Sequence, residues 1–160
     1  MFISSPLLTY NRCVSVTLKS EKSWSGHVEF PNVDKIIFVE LPREQVPGNA
    51  FRLNVSSDMV ELLGWESESA FYVNTSNVRT IYLHRDSSYM FDNFPNLKTV
   101  QFNYKVNFSK VRNISHIFEK RNNISFSSPI DISNCTDMSY ALSEYEGNTS
   151  LLFFGSSEKV

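Results

Sequence analysis

Asn96-Leu97-Lys98-Thr99-Val100-Gln101-Phe102 sets the pattern to which the chain keeps returning. An Asn, Asp or Arg precedes an apolar residue, and two more apolar residues follow at spacings of three and two. The pattern recurs as Asn32-Val33…Ile36…Phe38, Asp58-Met59…Leu62 and Asn77-Val78…Ile81…Leu83. Weaker copies are Arg12-Cys13…Val16…Leu18, Asn148-Thr149…Leu152…Phe154 and the degenerate start Asn123-Ile124. Anchors at 12, 32, 58, 77, 96, 123 and 148 give steps of 20, 26, 19, 19, 27 and 25 residues. These steps lie in or close to the roughly 20 to 29 residues of leucine-rich repeats. Within each copy, apolar residues alternate with others at the period of a strand. Strands are expected at about 13 to 19, 33 to 40, 59 to 66, 78 to 85, 97 to 104, 124 to 128 and 149 to 155.

The segments between strands differ along the chain. Lys22-Ser23-Trp24-Ser25-Gly26-His27 and Leu41 to Gly48 carry Gly or Pro, and read as loops. From Asp86 onward, Asp86 or Ser87, Ser109 and Ser133 stand where they can cap short helices around Met90-Phe91, Ile117-Phe118 and Met138…Leu142. The fold class this predicts is α/β. It is a right-handed solenoid of about seven rungs, with a parallel sheet on one side and loops or short helices on the return side. One domain is expected over residues 1–160, with 1–11 as an N-terminal cap and 12–155 as repeats.

The C-terminal half carries more specific words. Met90-Phe91-Asp92-Asn93-Phe94-Pro95-Asn96-Leu97 is followed by Val111-Arg112-Asn113-Ile114-Ser115-His116-Ile117-Phe118 and by Ile132-Ser133-Asn134-Cys135-Thr136-Asp137-Met138-Ser139-Tyr140-Ala141-Leu142. This resembles the BspA-type leucine-rich repeat family, whose units run Leu-x-x-Leu-x-Leu, then Asp-Thr-Ser-Asn-Val-Thr-x-Met-x-x-Met-Phe. Met90, Ile117 and Ala141 fall at one family position, 27 and 24 residues apart. The resemblance covers residues 74 to 154; over 12 to 73 only the periodicity is shared. Family members are commonly surface proteins of bacteria and microbial eukaryotes. The resemblance implies adhesion or protein binding, with no cofactor.

Composition excludes several function classes. A chain of 160 residues, 41% hydrophobic, can bury one continuous core. A net charge of -2 offers no general attraction to nucleic acid or an anionic bilayer, and no apolar stretch is long enough to span one. Only five glycines, scattered singly, leave no room for a phosphate-cradling loop. His27, His84 and His116 lack companions at metal-ligand spacing, so neither a metal nor a catalytic residue is assigned. His84-Arg85-Asp86 could suggest acid–base work, but no nucleophile accompanies it. Cys13 and Cys135 fall in the first and penultimate rungs, roughly 20 to 25 Å apart at strand spacing, too far for a disulfide. Asn-x-Ser/Thr triplets at Asn54, Asn74, Asn107, Asn113 and Asn148 would mark a glycosylated ectodomain in a secreted chain, but an Asn- and Ser-rich sequence also generates them by chance.

The outward columns of the expected sheet carry the function. Ile37, Val39, Leu63, Trp65 and Tyr82 form an apolar and aromatic strip, with His84, Arg85, Gln101 and Asn103 at its rim. Such a strip suits a protein partner, with Trp65 and Tyr82 as anchors, or a second copy of the chain through the strip or the solenoid's edge. The expected protein is a non-catalytic protein-binding module. Alternatives are an intracellular effector or inhibitor, from a virus or mobile element, that blocks a host defence protein, and a surface adhesin. The N-terminus has no basic-then-apolar signal, so the expected address is cytoplasmic, or the cell surface if the chain is an excised fragment.

Overall fold

The computed structural model describes residues 14–26, 28–122, 124–149 and 152–155. Its strands are short: β1 Ser15–Thr17, β2 Lys35–Val39, β3 Phe51–Arg52, β4 Leu63–Ser67, β5 Ala70–Asn74, β6 Thr80–Tyr82, β7 Thr99–Gln101, β8 Val106–Asn107, β9 Ser125–Phe126, β10 Ile130–Asp131 and β11 Phe153–Phe154. In β2 the period of two is plain, because Ile36 and Phe38 are buried while Lys35, Ile37 and Val39 are half-buried. Glu21–Ser25 and Arg43–Gln45 form 3-10 turns.

The strands form three sheets. Six lie in the order β3-β4-β5-β2-β7-β9, three in the order β1-β6-β8, and β10 pairs with β11. Within the six-stranded sheet, β4 is antiparallel to both its neighbours, β3 and β5, whereas β5, β2, β7 and β9 run parallel. The antiparallel part is a β4–β5 hairpin closed by Glu68 and Ser69, with Glu68 in the left-handed region at φ 55.

This arrangement overturns the expected leucine-rich-repeat solenoid of seven rungs on one parallel sheet. Ile36 pairs with Phe71 and Val100, but Ile81 pairs with Val16 and Val106 in the other sheet. Leu62, just before β4, is bonded to the neighbouring turn through its carbonyl, which accepts from Leu53 N at 2.8 Å. Ile36, Leu62, Ile81 and Val100, which stacked rungs would place in one column, therefore do not share it. The anchors at 77 and 96 begin strands of different sheets, so their 19-residue step is not a stacking repeat. In place of a strand continuing a single ladder, β5 enters between β4 and β2. Met59, expected inside, is 76% exposed.

The expected short helices are also absent among the described residues. Tyr89, His116, Lys120, Tyr140 and Glu144 all have φ between 52 and 58, which no right-handed helix can contain. Asp86, Asn113 and Asp137 instead accept the backbone N–H two residues on, closing Asx turns at 2.8 to 3.1 Å. These turns lie in parallel register, Asp86 beside Asn113 and Asn113 beside Asp137. Three residues after each turn's start, the rings of Tyr89, His116 and Tyr140 stack at 4.5 and 4.9 Å.

A single contiguous cluster of buried side chains runs from Val16 to Leu152. Phe71 lies within 6 Å of four other rings, Trp24, Phe30, Phe51 and Phe94. The Trp24 indole N–H donates to Met90 O at 2.8 Å, tying the first 3-10 turn to the Met90 turn. Arg121 is buried and donates to the carbonyls of Phe91 and Phe94. Burial pulls its guanidinium below the ordinary value, opposed by Asp92. Cys135 is buried, and Cys13 lies outside the described residues.

Replacing Phe71 with Ala removes the shared ring and is expected to lower the unfolding free energy by about 3–5 kcal/mol in urea titration. Gly64→Ala should also destabilise, by about 1–3 kcal/mol, through overpacking. Its added Cβ would stand 2.7 Å from Leu53 Cδ1 and 2.9 Å from Phe71 Cε1.

Candidate functional site

Strand register brings part of the expected surface together. Trp65 faces Tyr72, Tyr72 faces Ile37, and Ile37 faces Gln101, one row across β4, β5, β2 and β7. In the next row, Leu63 lies beside Asn74 and Asn74 beside Val39, with Arg52 on the far side of Leu63. These residues alternate with Ile36, Phe38, Phe71 and Val73, all buried in the core, so they occupy the sheet's opposite, outer face. Ile37, Val39, Leu63 and Tyr72 are half-buried there, and Gln101 is exposed.

Three expected members sit elsewhere. Tyr82 is on β6, between Thr17 and Asn107, with the Lys110 ammonium 3.9 Å from its ring centre. His84 turns back on its own chain, its Nδ1 accepting from Asp86 N at 3.0 Å. Arg85 is exposed, and its carbonyl accepts from Arg112 and Asn113. Trp65 joins the row but is only 5% exposed, its ring stacked on Tyr72 at 5.5 Å and 18°. It packs beside Tyr72 as a buried support, not as the exposed anchor expected from the sequence.

At the end of β2 the outer face runs into a cleft of about 580 Å³ lined by Glu40, Leu41, Pro42, Ser76, Val78, Arg79, Tyr104 and Lys105. Asn74 braces one wall, accepting from Leu41 N at 2.9 Å and donating to Leu41 O at 3.0 Å. Asn103 braces another, donating to Thr75 Oγ1 at 2.8 Å, while that hydroxyl donates to Val39 O at 3.1 Å. Asn103 is thus a strut for the cleft. The Lys105 ammonium is buried, donates to Thr75 O at 2.6 Å and forms an ion pair with Glu40. Tyr104, 83% exposed, places its hydroxyl 3.3 Å from the same Glu40 oxygen.

Tyr72, Glu40, Arg79, Tyr104 and Lys105 escaped the sequence reading. The run Ala70-Phe71-Tyr72-Val73, rich in β-formers, was the signal for a strand. The cleft residues come from three separate segments, 40–42, 76–79 and 104–105, and leave no local pattern.

Among the described residues, no group of three or more His, Cys, Asp or Glu side chains could hold a metal ion, and no helix is long and apolar enough to cross a membrane. His27 lies outside them. No family model, no curated protein and no solved structure matches this chain.

Trp65→Ala should cost about 3 kcal/mol of stability in urea titration, as expected for a buried indole, and should leave the outer face less ordered around Tyr72.

Proposed function

We propose that the chain is a non-catalytic protein-binding module whose contact surface is the outer face of the six-stranded sheet. One observation carries this reading: Tyr72, Ile37, Val39 and Leu63 gather, half-buried, around the single polar residue Asn74 on a face that would ordinarily alternate to polar residues. Gln101, Arg52 and Lys35 surround the patch, giving it the apolar centre and polar rim of a docking surface. Tyr72 is a favourable contact residue, with a broad ring and a hydroxyl able to find a partner's polar group. The strands beneath are fixed by hydrogen bonding, so docking orders little new chain and keeps its entropic cost low.

A photo-reactive residue at exposed Gln101 should cross-link a protein partner, whereas one at exposed Lys120 should not. Ile37→Arg should abolish the Gln101 cross-link while leaving the thermal melting transition in place. Equal cross-linking from both positions, or persistence in Ile37→Arg, would refute the surface. Cross-links solely between copies of this chain would replace a heterologous partner with self-association.

A further inference from the structure

We infer that the end of the turn stack, at residues 136–144, docks a segment of another protein chain as one further turn. The segment's carbonyls accept from Met138, Tyr140, Leu142 and Glu144 N, and its aromatic side chain lies on the Tyr140 ring. This site goes beyond the sheet surface proposed above and does not rest on it. Through the body of each turn, the hydrogen bonds to the next turn run one way. Ser87 N and Tyr89 N donate to Asn113 O and Ser115 O, and the N–H groups of Ile114, His116, Phe118 and Lys120 donate to the carbonyls of Asp137, Ser139, Ala141 and Ser143, at 2.9 to 3.1 Å. At the entrance the sense reverses, with Thr136 N and Asp137 N donating back to Arg112 O. The parallel register of Asn113 with Asp137 makes the N–H groups of Met138, Tyr140, Leu142 and Glu144 the counterparts of those in the turn before, aimed out of the stack. This end of the stack opens onto a cleft of about 510 Å³ lined by residues 136–143.

Ile114 and Phe118, in the turn that the last one covers, are buried, whereas their counterparts Met138 and Leu142 are half-buried. Tyr140, whose ring stacks on His116 at 4.9 Å, is 65% exposed. A guest turn buries these three side chains as each turn of the stack buries those of the turn before it. Acceptors matched to N–H groups on every second residue are those of a polypeptide backbone. Asp137, its carboxyl held below the ordinary range by the Ser139 N–H and hydroxyl, and Glu144 are both exposed at this end. These carboxylates repel phosphate groups and favour a guest with a basic residue near the aromatic one. A second copy of this chain does not fit. Two copies meeting end to end would set donors against donors. Stacking head to tail would need the carbonyls of the first turn, where Asp86 O already accepts from Glu21 N at 3.0 Å and Met90 O from the Trp24 indole at 2.8 Å.

The probe is the acetylated, amidated peptide Asn-Ile-Ser-Tyr-Ile-Phe-Lys-Lys, patterned on residues 113–120 with Tyr in place of His116 and Lys in place of Glu119. It is titrated into the isotopically labelled full chain, with backbone amide resonances followed by NMR. Saturable downfield shifts are expected at Met138, Tyr140, Leu142 and Glu144, as hydrogen bonds form there. Exchanging the peptide's Tyr for Ala should weaken binding roughly tenfold. Tyr140→Gly should weaken it by a similar factor and keep the turn, because φ at this position is 57, a value glycine adopts freely. Tyr140→Phe should bind as the parent chain does, and so should Ile37→Arg, which disrupts the sheet surface alone. No saturable shift, shifts spread outside residues 136–144, undiminished binding by the Ala peptide or by Tyr140→Gly, or the same saturation with tyrosine amide alone would overturn the inference. So would a dimer in sedimentation that Tyr140→Gly dissolves, since the occupant would then be a second copy.

Discussion

The phenyl ring of Phe71 sets the geometry on which both the core and the outer face depend. Strand alternation means that once Phe71 points inward, among Trp24, Phe30, Phe51 and Phe94, Tyr72 must point out. Pairing of Ile36 with Phe71 then places Ile37 beside Tyr72, and pairing of Trp65 with Tyr72 supplies a stacked support. The apolar outer patch is the other side of the same register that fills the core. A slip of one residue would expose Phe71 and bury Tyr72 together.

Polar side chains do comparable work at the turns. Asn74, Asp86, Asn103, Asn107, Asn113, Asp131 and Asp137 each accept the N–H two residues further on. At Asp137 the bonds from the Ser139 N–H and hydroxyl hold the carboxyl below its ordinary range. Three Asn-x-Ser triplets, at Asn74, Asn107 and Asn113, are thus turn-forming residues with a local mechanical role. Asn74 also bridges to Leu41, so one amide shapes both a turn and a wall of the cleft.

The sequence made the positions of strands readable far better than their companionship. Alternating apolar residues located β2, β6 and β7 closely, while β4 begins at Leu63, four residues after the expected start; the pattern's apolar positions from Val33 to Leu152 are buried apart from Met59. Alternation says nothing about which strand lies beside which. Copies 19 residues apart read as neighbours, yet Ile81 and Val100 belong to different sheets, and Ile81 stacks with Val106 while Val100 stacks with Phe126. The β4–β5 hairpin was hidden because its turn, Glu68-Ser69, contains none of the usual Asn-Gly or Gly-Asn signals. The candidate surface was correspondingly half legible. Ile37, Val39, Leu63 and Gln101 share a sheet and were found together; Tyr82 had the same local pattern on a different sheet, and His84 and Arg85 lie in the loop that follows it.

The stacked rings of Tyr89, His116 and Tyr140 constrain how this chain can change length over generations. Each ring rides on an Asx turn in register with the one before it, so a one-residue insertion between two of them would carry a ring off its neighbour and unmake the turn pairing at once. Duplicating or deleting a whole turn preserves both. Growth and shrinkage of this part of the molecule are thereby confined to whole-unit steps, while its sheet-borne outer face is left to vary residue by residue.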